Sequence, residues 1–136
     1  MKLSDIIKGT EYDLSLFTEA QITELENRIA ERGTKRGTEY YLTCAVRRKD
    51  IKATPEEVVR QLYLLVLTED LGYPVSRMEL EYEVTFGREK KRADIVIFDK
   101  QQTTSPYIIV ELKKPKLKDG KEPVSYTHLR AHETVL

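Results

Sequence analysis

The chain has 136 residues, about one domain's worth, and its 23 Lys and Arg are balanced by 23 Asp and Glu, which excludes a uniformly basic nucleic-acid coat and a uniformly acidic tail. With only 6 Gly and 5 Pro it is neither fibrous nor compositionally disordered, and its single cysteine, Cys44, excludes a disulfide framework and a multi-cysteine zinc site. No apolar run approaches the ~18 residues of a membrane span and Met1 to Asp5 opens no signal-peptide pattern, so a cytoplasmic α/β domain is expected.

The first element is announced by Thr18-Glu19-Ala20-Gln21, a capping box in which the Thr hydroxyl and the Gln side chain close opposite ends of one helical turn. Ile22, Leu25 and Ile29 follow at helical spacing and Gly33 offers a stop, which predicts a helix over 19–32 and a flexible link from Gly33 to Gly37. Tyr40, Leu42, Cys44 and Val46 then alternate with polar or small neighbours, the pattern of a strand over 39–47. Cys44 falls on its apolar face and reads as a small buried hydrophobe.

The strongest local signal is Thr54-Pro55-Glu56-Glu57. Thr54 suits an N-cap, Pro55 the first helical position, and Glu57 the returning arm of a capping box. Val58, Val59, Leu62, Leu65 and Val66 give this helix a broad apolar face through about Asp70, and Gly72 and Pro74 end it. Leu80, Tyr82, Val84 and Phe86 next alternate with Glu79, Glu81, Glu83 and Thr85, a strand with one buried face. Gly87 to Lys90 reads as a hairpin connection, Arg92 to Asp99 as a nearly all-apolar central strand, and Tyr107 to Leu112 as another, closed by Lys113-Lys114-Pro115. The neutral total hides an asymmetry: residues 1–87 hold 12 basic and 16 acidic side chains, whereas residues 88–122 hold 10 and 6. A basic surface over the later segment suits a polyanionic partner, and equally suits a solvated Lys-rich loop.

Charged residues interrupt the two apolar strands. Asp94 stands near the start of one; Glu111 and Lys113 stand at the end of the next, two residues apart and so on one face. A buried carboxylate persists when it is paired, protonated or bound to metal. Two carboxylates converging at one end of a sheet can hold Mg²⁺ through oxygen, with the Leu112 carbonyl as a further ligand, and Lys113 can orient a water or offset charge on a phosphoryl centre. The same spacing also fits a plain ion pair at a strand end.

Arg92-Ala93-Asp94-Ile95-Val96-Ile97 followed by Val110-Glu111-Leu112-Lys113-Lys114-Pro115 resembles the signature of PD-(D/E)XK nucleases, and more narrowly the N-terminal nuclease domain of type I restriction enzyme R subunits. Thr54 to Gln61 and Leu71-Gly72-Tyr73-Pro74 carry the same resemblance, which covers roughly residues 50–122. Similar domains are also fused ahead of adenine-N6 DNA methyltransferases. The resemblance implies a restriction-endonuclease-like three-layer α/β core around a central mixed sheet, and hydrolysis of double-stranded DNA with Mg²⁺ in a restriction–modification complex. Asp94 and Glu111 would be the metal ligands and Lys113 the residue assisting attack. Glu57 matches an acidic helix position that approaches the metal in this family, besides its own reading as the arm of a capping box. Lys114, Lys116 and Lys118 would contact phosphates, or remain a solvated loop. The alternative is a nuclease-like module that binds DNA, or acts as a scaffold for a methyltransferase or restriction complex, without cutting.

The resemblance breaks after Glu122. The family continues into a helix with a Gln-x-x-x-Tyr-like motif and a further strand, whereas here Pro123 stands at the expected helix start. Residues 124–134 resemble a translated sequencing-adapter read-through. The expected organisation is therefore an N-terminal helix and strand extension over 1–50, a truncated and inactive nuclease domain over 51–122, and a non-native tail over 123–136. His128 and His132 within it have a helical zinc-ligand spacing but no third ligand.

Overall fold

The computed structural model describes residues 1–116 and 124–131, and for Phe86, 113–116 and 124–131 it describes the backbone alone. The chain opens with a short helix α1 (Leu3–Ile7) and a second helix α2 (Glu19–Arg28), then forms strands β1 (Ala30–Thr34), β2 (Gly37–Cys44) and β3 (Lys49–Lys52). Helix α3 (Pro55–Leu65) runs on through a π-helical turn over Val66–Asp70. Strands β4 (Met78–Phe86), β5 (Glu89–Phe98), β6 (Pro106–Lys116) and β7 (Val124–Ala131) complete it. The strands make two antiparallel sheets, ordered β1-β2-β3 and β4-β5-β6-β7. Helices and sheets combine as expected for an α/β-type chain. The expected mixed sheet is not among the described ladders, which are all antiparallel because short connections join neighbouring strands.

Local chemistry sets the element ends. Both arms of the first capping box are made: the Gln21 backbone N–H donates to Thr18 Oγ1 at 3.1 Å, and the Thr18 N–H donates to Gln21 Oε1 at 2.9 Å. That helix stops at Arg28, earlier than the predicted 32, because Ile29 is already extended. The stretch expected to be a flexible link is instead a tight hairpin, with Thr34 paired to Gly37 across Lys35-Arg36 and Gly37 at φ 123°. The predicted hairpin at Gly87 is also present, pairing Phe86 with Glu89. His128 lies on strand β7, opposite Glu111, rather than on a helix; His132 is outside the described residues.

Helix α3 is apolar on two sides and lies between two cores. Val58, Leu62 and Leu65 pack with Leu3, Phe17, Leu25, Leu42 and Ala53, joining α3 to the first two helices and the small sheet. Leu64, with Leu67 beyond it, packs with Cys44 and with Met78, Leu80, Ile95, Ile97, Ile108 and Val110 of the larger sheet. Cys44 is fully buried there, as its alternation with Leu42 predicts. A third cluster, Val84, Ala93, Val96, Phe98 and Ile109, covers the other face of that sheet.

Candidate functional site

The β4–β5 pair changes face in mid-strand. Simple alternation puts Met78, Leu80 and Val84 together, yet Met78 and Leu80 pack toward α3 while Val84 packs in the third cluster. On β5, Ile95 and Ile97 pack toward α3 and Ala93 does not. The switch lies between Leu80–Ile95 and Tyr82–Ala93, the register pairs that set Glu81 opposite Asp94. Glu81 has φ 53°, a left-handed conformation that a side chain adopts at a cost of roughly 1–2 kcal/mol. Such strain in a strand points to a site where the surroundings over-determine the backbone.

The reversal lets Asp94 meet α3. Arg60 donates through Nη2 to Asp94 Oδ1 at 2.7 Å and through Nη1 to Glu57 Oε1 at 2.5 Å. Arg60 is only 3% exposed, so the guanidinium at the centre of these ion pairs is withdrawn from water while Asp94 remains part-exposed. Burial opposes its charge, but the hydrogen bond to Asp94 and the field of Glu57 outweigh that and hold the guanidinium above its ordinary pKa. Gln61 Nε2 donates to Glu57 Oε2 at 3.0 Å, and Arg47, from the turn after β2, reaches the same oxygen at 3.0 Å. Arg47 also reaches Glu81 at 3.4 Å, and Arg92 reaches Glu81 at 3.5 Å.

Asp94 is tied as firmly to β6. The Leu112 backbone N–H donates to Asp94 Oδ2 at 2.7 Å, immediately after Glu111. The last β5–β6 register pair is Ile95 with Val110, the residues next to Asp94 and Glu111 in the chain. Glu111 is buried, 8% exposed, on β6. Lys113, Lys114 and Lys116 follow on the same strand, their side chains outside the described residues, as is Lys118 altogether. The structure thus sets Asp94 against the strand that carries Glu111 and Lys113.

Glu57 departs from its simpler expectation. Its backbone N–H donates to Thr54 Oγ1 at 3.3 Å, so Thr54 caps α3, but its carboxylate does not return to the cap. It turns inward to Arg60, Gln61 and Arg47, because an acid buried on this helix face gains more from two guanidinium partners than from one backbone N–H. Arg60, Arg47 and Glu81 were not singled out from the sequence. Arg60 carried a usable signal, as the lone cation inside Val58 to Val66, one turn from Glu57. Glu81 carried none, since its place in a regular alternation hides the reversal.

The carboxylate oxygens of Asp94 and Glu111 and the Leu112 carbonyl are hard donors of the kind Mg²⁺ prefers. Arg60 and the Leu112 N–H engage one lone pair on each Asp94 oxygen, and each oxygen has another. The donor chemistry therefore fits such an ion, although among the described residues no group of three or more His, Cys, Asp or Glu is arranged to hold one.

In comparison with protein families, the model described as "Type I restriction enzyme R protein N terminus (HSDR_N)" matches residues 55–131, from the start of α3 through β7. Searches of curated proteins and of solved structures found no match. Among the described residues no helix is long and apolar enough to cross a membrane.

Proposed function

The chain belongs to the family of type I restriction enzyme R protein N termini, and from that premise we propose that it carries a restriction-endonuclease-like core of the kind that hydrolyses DNA phosphodiester bonds with Mg²⁺, whether or not the chain by itself cuts. The reading rests on one observation above the rest: the Leu112 N–H to Asp94 bond, which ties the first acid of the signature to the strand bearing Glu111 and Lys113. Asp94 and Glu111 would hold the metal, which supplies a polarised water and offsets charge on the phosphate. Asp94 is kept in one orientation by Arg60 on one oxygen and by the β6 backbone on the other, so little rearrangement is needed when a ligand arrives. Lys113 would assist attack by orienting the water or offsetting charge that grows on the phosphate. Glu57 supports the site through Arg60 rather than as a ligand.

The partners in this reading are double-stranded DNA and other restriction–modification subunits, or a fused methyltransferase or motor domain, acting in the cytoplasm. The test is cleavage of supercoiled plasmid by the full chain with Mg²⁺ or with chelator, comparing wild type, Asp94→Asn and Lys113→Ala. Cutting that needs Mg²⁺ and falls at least a hundredfold in both variants supports the assignment. Equal cutting by Asp94→Asn refutes it; where wild type binds DNA without cutting, Mg²⁺ binding that is lost in Asp94→Asn supports the metal-dependent core in an inactive chain, and DNA binding with no Mg²⁺ binding favours the non-cleaving module.

A further inference from the structure

We propose that Arg60 is a positioning residue for Asp94 and the internal cation that sets the site's affinity for a divalent metal; this rests on the reading of Asp94 and Glu111 as metal ligands. Three acids crowd one guanidinium: Asp94 at 2.7 Å, Glu57 at 2.5 Å and Glu81 at 3.8 Å. The side chains of Arg60, Glu57 and Asp94 are 4%, 9% and 17% exposed, so water screens those two contacts weakly, and the more exposed Glu81 less weakly. A guanidinium keeps its proton at any physiological pH, and its planar fork spans two carboxylates as a single ammonium does not. The acids can therefore be assembled in the folded chain before any metal arrives.

The same contact has a second effect. A divalent ion on the remaining lone pairs of Asp94 stands within a few ångströms of the Arg60 charge, and like charges that close in a poorly solvated pocket repel strongly. Arg47 and Arg92 reinforce this by neutralising Glu57 and Glu81, so that Glu57, Glu81 and Asp94 face three guanidiniums. Asp94 therefore does not meet an incoming ion as a bare negative site. Arg60 trades metal affinity for a prebuilt geometry.

The experiment is Mn²⁺ binding to the full chain, read from free Mn²⁺ by electron paramagnetic resonance, for wild type, Arg60→Met, Arg60→Lys and Asp94→Asn. Arg60→Met is expected to bind at least tenfold more tightly, Arg60→Lys within threefold of wild type, and Asp94→Asn not measurably. Should circular dichroism show Arg60→Met unfolded, Arg60→Met combined with Glu57→Gln removes an acid left without its main cation and carries the same expectation. Unchanged or weaker binding by the Met variant, with binding still abolished in Asp94→Asn, overturns the role of Arg60 and leaves the metal reading standing. Equal tightening in Arg60→Lys overturns the claim that charge is what matters. Absence of Mn²⁺ binding in wild type and Arg60→Met alike, or wild-type binding by Asp94→Asn, overturns the metal reading and this inference with it.

Discussion

Replacing Arg60 by Met keeps an unbranched apolar stem but removes the guanidinium and its charge, leaving Asp94 and Glu57 facing the space it filled. Breaking a buried ion pair from one side costs roughly 3–5 kcal/mol, because the remaining charge is stranded away from water. Two features hold the estimate to the lower end, about 3 kcal/mol. Glu57 keeps Arg47 and Gln61, each at 3.0 Å, and Asp94 keeps the Leu112 N–H and is 17% exposed. For a chain of this size about 3 kcal/mol lowers Tm by roughly 10 °C. Urea titration followed by far-ultraviolet circular dichroism measures the loss, and adding Glu57→Gln to the variant should recover about a third or more of it. A loss below about 1 kcal/mol would refute the reasoning, since only exposed, screened ion pairs are worth so little.

Three further outcomes follow from features elsewhere. Thr54→Ala removes the cap of α3 and should cost about 1 kcal/mol in urea titration, with no loss expected from Thr54→Ser. At residue 81 the left-handed backbone should make Glu81→Gly about 1 kcal/mol more stable than Glu81→Ala, the reverse of the usual order in strands; an Ala variant as stable as Gly refutes the strain. The Tyr12 hydroxyl is buried with no hydrogen-bond partner among the described residues, and burial, then the fields of Glu56 and Asp94, push its pKa up to about 12. Raised above the unfolded value, it contributes stability that is full below about pH 10 and lost as pH climbs toward about 12. Tyr12→Phe should leave stability at pH 7 intact and flatten that alkaline decline in thermal melts.

How far the sequence reaches differs between elements for physical reasons. Helix α3 and the order helix–strand–strand–strand were legible because capping chemistry and alternation act within a few residues. Cys44 was legible for the same reason. Strand β1 was not: Ala30 to Thr34 is exposed throughout, so it has no apolar period, and only pairing with β2 makes it a strand. In the site, Asp94, Glu111 and Lys113 stood out as charges inside apolar runs. That Arg60 would be the partner of Asp94 did not, because the two meet across 34 positions of chain and only after the strand has changed face.

Helix α3 also bears on where this chain can be cut. The family match begins at residue 55, which invites producing the matched stretch by itself. Val58, Leu62 and Leu65 would then lose Leu3, Phe17, Leu25 and Leu42, uncovering a contiguous apolar stripe. Arg47 would be lost from Glu57 and Glu81 at the same time. The boundary drawn by family likeness runs through a packed interior, so the matched stretch keeps its apolar cover only when residues 1–54 are retained with it.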